Sequence, residues 1–307
     1  MITAEMVSKL REMTGAGILD CKKALTEVGG DLDAAVELLR KKGIAKASGK
    51  LDRAAADGAV AGAISVDGKV GVLIEVNSET DFVAKSDRFQ DLCRNVLGAA
   101  LSFDGGVEAF KSSLMPSGKS VADEVVGNAA VIGENITLRR TQRLLVDSGV
   151  VAVYLHNQSA EGLGKIGVLV ALESDIDQAK LKEIGKHIAM HIAAARPEAL
   201  SVEDLDAKVV AKEREIAREQ ALASGKPESV VEKMVEGRIV KFYEQVVLLE
   251  QLFVMDGKTK ITDLLSAFGK ENGGSVVLKS FVRFELGEGI EQKKTDLAAE
   301  VAALTAK

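Results

Sequence analysis

The chain has 307 residues, 47% of them hydrophobic and 28% charged, a composition that supports two or three packed domains and excludes wholesale disorder. A formal charge of −6, from 40 basic and 46 acidic residues, excludes a general basic field for gripping phosphate backbones, and no stretch approaches the roughly 18 uncharged apolar residues of a membrane span. With 9 Phe, 2 Tyr, no Trp and 3 His, and with Cys21 and Cys93 too far apart for a Cys-x-x-Cys pair, neither a disulfide framework nor a metal or redox centre is indicated.

The N-terminus, MITAEMVSKLREM, carries charge where a signal peptide needs an apolar core, so a cytoplasmic protein is expected. Thr3 caps a first helix bearing Val7 and Leu10. Thr14-Gly15-Ala16-Gly17 turns the chain into a second helix with Ile18, Cys21 and Leu25 on one face, stopped by Gly29-Gly30. Asp31 caps a third, with Leu32, Ala35, Val36 and Leu39 as its stripe and Lys41-Lys42-Gly43 as its end. These helices predict a small bundle of the ubiquitin-associated (UBA) type, a docking module whose core leaves no room for a pocket. The Ala/Lys/Asp-rich stretch 44–57 reads as a linker, and the bundle with its linker is placed at 1–53.

From residue 58 the period changes. Ala59 to Val66 and Val70 to Val76 flank Asp67-Gly68, a strong hairpin signal, and a helix is expected at 81–101 with Phe89, Leu92, Val96 and Ala99 on its apolar face. The unit recurs 96 positions on: Gly68-Lys-Val-Gly-Val-Leu-Ile74 matches Gly164-Lys-Ile-Gly-Val-Leu-Val170, and Leu92 and Val96 match Ile188 and Ile192. The expected fold class is therefore α+β, with two repeated hairpin-helix subdomains whose small antiparallel sheets are each covered by helix on one face. The first subdomain is placed at 54–140, and the second at 141–197 with a returning segment at 253–287. Between them, 198–252 reads as a helical hairpin arm, coiled-coil-like, with helices at 203–223 and 228–251 around Ser224-Gly225-Lys226-Pro227 and a solvated face from Lys208 to Glu219. Thr262 caps a short helix, Ser275 to Leu286 is the returning strand, and 288–307 is a C-terminal helical module with Thr295 as its cap.

Three motifs look chemical and fail on context. Gly162-Leu-Gly164-Lys-Ile-Gly167 fits Gly-x-Gly-x-x-Gly but leads into a strand, where a dinucleotide site needs a following helix N-terminus. Ser113 to Ser120 imitates a phosphate-binding loop but lacks the first glycine and a preceding strand. His187 and His191 share a helix face at i, i+4, without the glutamate or third ligand that a zinc site needs. On the residues alone the chain is a binding protein of the cytosol, with an enzyme as the alternative.

The junction Glu75-Val-Asn-Ser-Glu-Thr-Asp-Phe-Val-Ala-Lys85 stands apart. Thr80 can cap a helix that Asp81 favours, which leaves Phe82 at an exposed helix start, with Lys85 and Ser86 at i+3 and i+4 in place of core residues. In the repeat, Asp81 pairs with Asp177 but Phe82 with Gln178, so the frame does not demand the ring. The competing reading makes Phe82 a staple between helix and sheet.

This junction and Leu10-Arg-Glu-Met-Thr-Gly-Ala-Gly-Ile-Leu-Asp-Cys-Lys-Lys-Ala-Leu25 together resemble bacterial translation elongation factor Ts, as do Gly133-Glu-Asn-Ile136, Lys186-His-Ile-Ala-Met-His-Ile-Ala-Ala194 and Arg283-Phe-Glu-Leu-Gly-Glu-Gly-Ile290. The resemblance spans essentially the whole chain in order. It implies a nucleotide-exchange factor for the protein GTPase EF-Tu, not an enzyme, with no cofactor, no metal, no nucleic-acid partner and no membrane. By the same resemblance Thr80, Asp81, Phe82 and Val83 disturb the magnesium site of EF-Tu: Phe82 wedges between helices of the nucleotide-binding domain and Asp81 assists the polar rearrangement. Thr14, Gly15, Ala16, Gly17, Lys22 and Lys23 of the bundle, together with the C-terminal helix, would touch the same domain. His156, in a Tyr-x-His pattern, would meet another. The stretch from Leu155 to Gly164 is longer than the family pattern, and a homodimer in a 2:2 complex through the arm or the core stays open. A nucleotide-hydrolysing enzyme dependent on Lys119 and an adaptor using the first 43 residues are the competing functions.

Overall fold

The computed structural model describes residues 2–48, 53–223 and 225–290. Helices α1 (Ala4–Thr14), α2 (Ile18–Glu27) and α3 (Leu32–Ser48) form the N-terminal bundle around Leu10, Cys21, Ala24, Leu25 and Ala35. Its caps are those expected: the Thr3 side chain accepts the Met6 amide, and Asp31 accepts that of Ala34 at 3.0 Å. Two expectations fail. Ile18 lies outside the bundle core, half exposed. Gly43 does not end α3, which runs on to Ser48. A Cβ at Gly43 would stand 2.7 Å from Ala130 Cβ, so the glycine permits a close helix crossing where the sequence suggested a stop.

The core begins with the hairpin of β1 (Asp57–Ile64) and β2 (Val70–Ser78), followed by α4 (Asp81–Ala84), α5 (Asp87–Leu101), α6 (Val107–Ser112), α7 (Val121–Ile132) and β3 (Ile136–Leu145). The single helix expected at 81–101 is thus two. Ser86, in extended conformation, accepts the Phe89 amide at 3.4 Å and restarts the helix as a second N-cap. The second half repeats the plan with β4 (Val150–His156), the two-residue β5 (Leu163–Gly164), β6 (Ile166–Glu173) and α8 (Gln178–Ala195). It closes with α11 (Ile261–Glu271) and β7 (Val277–Glu285), after the arm of α9 (Ala207–Leu222) and α10 (Glu228–Val246).

The repeat extends to backbone irregularities. The β2/β3 register shifts between Glu75 and Val76, and the β6/β7 register between Ala171 and Leu172, the same places in the two units. The sheets run β3-β2-β1-β5 and β4-β6-β7. They face one another across Val60, Leu73, Val151, Leu169 and Phe284, while α5 and α8 cover the outer faces. Gly71 and its repeat mate Gly167 lie where the sheets meet: a Cβ would come within 2.5 Å of Val151 at the first and 2.6 Å of Val60 at the second. The matched glycines therefore set the spacing between sheets, and Gly164 and Gly167 serve a hairpin. β5, in the long 157–165 connection, crosses over to pair with β1 of the other sheet.

The arm is shorter than expected at both outer ends and has its own core of Ala217, Ala221, Val231, Val235 and Ile239. Its charged face is not simply solvated, because Arg218 pairs with Glu232 at 2.9 Å and Glu213 with Arg238 at 3.6 Å across the hairpin. Thr262 is not the cap of α11: it is the helix's second residue, and its hydroxyl donates to the Leu249 carbonyl at 2.6 Å. The C-terminal module expected at 288–307, with its Thr295 cap, lies outside the described residues beyond Ile290.

Candidate functional site

β2 is buried along nearly its whole length, between α5 on one side and the second sheet on the other, so its end is a rigid point of departure. Inside it sits the carboxylate of Glu75, fully buried. Arg139 and Arg140 donate to it at 3.0 and 2.6 Å, Asn77 at 3.1 Å and the Gly287 amide at 2.9 Å. Burial pushes the carboxyl's pKa up, but the Gly287 amide and Arg140 outweigh it, so the net shift is below the usual glutamate value. The ion pair ties β3 to β2, and the Gly287 amide ties the turn after β7 to the same carboxylate.

Beyond Ser78 the chain enters a reciprocal clasp. The Thr80 amide donates to Glu134 Oε2 at 3.1 Å and its hydroxyl to Oε1 at 2.8 Å, while the Asn135 amide donates to Glu79 Oε1 at 2.6 Å. The Ser78 hydroxyl donates to the Thr80 carbonyl at 2.9 Å. Thr80 then caps α4, accepting the Val83 amide at 3.4 Å. Val83 and Ala84 turn toward the core. Asp81 and Phe82 turn outward.

Phe82 is 81% exposed. The described residues include all 9 Phe and both Tyr, and the other ten rings are buried or half-buried, so this is the one aromatic side chain offered to solvent. The staple reading fails on that exposure. Beside it, Asp81 pairs with Lys85 at 2.6 Å. That hydrogen bond holds the carboxyl below its usual pKa, and the charge of Lys165, just past β5, adds to the effect. An ionised carboxylate and an uncovered ring thus project together from a clamped turn of helix.

The bundle residues form a second surface. The Thr14 hydroxyl donates to the Leu10 carbonyl at 2.7 Å, and Gly15 takes a left-handed φ of 67° directly against the Arg88 guanidinium. Because Arg88 is in the first turn of α5, the Thr14–Gly17 loop lies behind the α4/α5 break. Ala16 is half-buried, Gly17 exposed, and Lys22 and Lys23 point to solvent. The sequence reading missed the apolar rim of this loop: Met13, Ile18 and Leu19 are 53, 55 and 72% exposed. Leu19, with Lys22 and Lys23 at i+3 and i+4 on its own helix face, was the signal. A cleft of about 510 Å³ separates the bundle from α5 and α7, with Val36 and Leu39 on one wall and Val126 and Val131 on the other.

His156 stands apart from both surfaces, exposed at the end of β4, with Nδ1 2.9 Å from the Tyr154 hydroxyl. Of the helical histidines, His191 is buried: Nδ1 accepts the Val254 amide at 3.2 Å and Nε2 meets Gln251 Oε1 at 2.9 Å. Burial lowers its pKa, and those two partners require the neutral ring with the proton on Nε2. Among the described residues no three His, Cys, Asp or Glu side chains group to hold a metal. The Ser113–Ser120 segment spends its amides internally, with Met115 and Gly118 donating to Lys119 and Met115 carbonyls, and Ser120 caps α7. No helix among the described residues is long and apolar enough to cross a membrane.

Residues 79–288 match the family model described as Elongation factor TS. The chain is 55% identical over 302 residues to Elongation factor Ts of Erythrobacter litoralis, covering 98% of this chain and 97% of that protein. It is 54% identical over 304 residues to Elongation factor Ts of Rhodospirillum centenum, with 99% and 98% covered. The corresponding protein of Agrobacterium fabrum is 50% identical over 304 residues, with 99% and 98% covered.

Proposed function

The chain belongs to the elongation factor Ts family of translation elongation factors, and from that premise we propose that it accelerates GDP release from the cytosolic GTPase EF-Tu by inserting Phe82 next to the nucleotide's magnesium site. The observation that carries this reading is the solitary exposed ring on a clamped helix start.

An exchange factor needs no nucleophile or general base. It must bind the nucleotide-free GTPase more tightly than the loaded one, and by reciprocity GDP and the factor then weaken each other's binding. Displacing the metal strips the diphosphate of a neutralising charge and speeds its loss. Burying a phenylalanine stabilises a complex by about 1.5–3 kcal/mol, which at about 1.4 kcal/mol per decade is a coupling of roughly 10- to 150-fold. Asp81 contributes an ionised carboxylate that can leave Lys85 for donors of the partner. Thr80 and Val83 hold the segment from either side. The Thr14–Gly17 loop, Lys22, Lys23 and their apolar rim supply a second contact on the same GTPase domain, and His156 a third on another domain.

Release of a fluorescent GDP from purified EF-Tu tests this. Phe82→Ala is expected to lower kcat/KM for exchange by about ten- to a hundredfold with an unchanged melting temperature. Exchange at the parent rate would remove the inserted ring from the mechanism, and loss of the fold would return Phe82 to the staple role.

A further inference from the structure

We propose that Glu134 is a positioning residue for exchange, its carboxylate acting through Thr80 to fix the direction in which Phe82 projects. The proposal rests on the reading of Phe82 as the inserted side chain.

The reasoning starts from how little else holds α4. A four-residue helix has no stability of its own, because nucleation costs more than one or two hydrogen bonds return. Its buried anchor is Ala84, with Val83 packed only in part, and both lie on the C-terminal side of Phe82. On the N-terminal side the fixed point is Thr80, and Glu134 takes both of its donors, the amide at 3.1 Å and the hydroxyl at 2.8 Å. The second bond sets the capping geometry. With its proton committed to the carboxylate, the hydroxyl turns its lone pairs to the Val83 amide, as a helix cap requires. Both bonds are made to a carboxylate, an acceptor whose hydrogen bonds are stronger than those between neutral groups.

Glu134 is itself well placed to serve as a reference. It follows Gly133, the left-handed C-cap of α7, and precedes Asn135, whose amide is held by Glu79 and whose side chain donates to the Arg53 carbonyl at 2.8 Å. The carboxylate is therefore fixed by α7 and β3, elements of the core, and not by α4. Without it the Thr80 amide and hydroxyl would lose their acceptor, and the ring, 81% exposed, would sample a wider cone. Misplacement of an inserting group by about 1 Å is enough to slow a step severely.

The absence of tryptophan in the chain supplies a probe. In a Phe82→Trp background, time-resolved fluorescence anisotropy reads the motion of the side chain without EF-Tu, and adding Glu134→Ala is expected to raise the fast-motion amplitude clearly. Glu134→Gln, which keeps one carbonyl acceptor, should fall between the two, and it carries the test if Glu134→Ala does not fold. In the exchange assay with phenylalanine at position 82, Glu134→Ala should lower kcat/KM about tenfold, and Phe82→Ala/Glu134→Ala should match Phe82→Ala within about a factor of two. Unchanged anisotropy, or exchange by Glu134→Ala at the parent rate while Phe82→Ala is slow, overturns the proposal and leaves the inserted ring standing. A Phe82→Ala protein that exchanges at the parent rate overturns both.

Discussion

In the first half of the core the chain leaves β2 through Thr80, forms one turn of helix and breaks at Lys85 and Ser86 before α5 begins; in the second it leaves β6 and runs from Asp177 straight into an 18-residue helix. Before these junctions the antiparallel strand pairing, the shifted register and the glycines between the sheets match. The fastenings differ as well. Ser174, the mate of Ser78, ties the second junction to the segment before its last strand through one bond to the Ser275 carbonyl at 2.7 Å. The first junction uses two carboxylates, Glu79 and Glu134, for the same purpose. A continuous helix satisfies the frame, so the break, the exposed ring and the stronger clasp are additions that folding does not require.

The largest effects should therefore be equal in the two halves and unrelated to exchange chemistry. Leu92 and its mate Ile188 are both buried against their sheets. Leu92→Ala and Ile188→Ala should each destabilise by about 2–5 kcal/mol in urea unfolding, with exchange per folded molecule preserved. A much smaller cost at either position would show that the halves do not share one packing scheme.

The next effect separates them. Glu75 is replaced in the second half by Ala171, at the same shifted step of the sheet. Glu75→Gln should cost about 1–3 kcal/mol, since Arg139 and Arg140 keep part of their solvent contact and lose only the charged acceptor. Its pH dependence has a definite sign. Because the folded-state pKa is depressed, the parent's advantage is complete well above the ordinary glutamate value of about 4.3 and shrinks as pH falls through the lower folded value. Urea midpoints of parent and Glu75→Gln between about pH 7 and pH 3 should converge at the acid end. Parallel curves would mean that Glu75 has the same pKa in the folded and unfolded states.

Much of this difference was legible and some of it was not. The 96-residue offset exposed the repeat, and pairing Phe82 with Gln178 marked the ring as dispensable to the frame. Local signals failed where two rules competed: Thr80-Asp81 and Ser86-Asp87 both spell a helix start, and the first hid the second. Gly43 reads as a stop by composition, while its role depends on Ala130 of another helix. The clasp and the Glu75 network could not be read, because Glu75 finds partners 65 and 212 positions away and Thr80 finds Glu134 54 positions away. Glu134 stood in one of the strings that carried the family resemblance, with nothing in its neighbourhood to say which atoms it holds.

The smallest expected effect is the sharpest test of the comparison. Gln178 opens α8 on the exposed side, with Asp177 as its cap. Gln178→Phe places in the second half the residue that the first half displays, and as a surface change it should alter stability by no more than about 0.5 kcal/mol. It should also leave exchange unchanged, and it should not rescue Phe82→Ala when the two are combined. The side chain would start a continuous helix capped by Asp177, with no break and no clasp like that of Glu79 and Glu134 to aim it. Rescue of even a few fold in the GDP-release assay would mean that an exposed ring suffices and that the broken helix and Glu134 add nothing. Failure of rescue, with the fold intact, assigns the activity to the ring together with the junction that presents it.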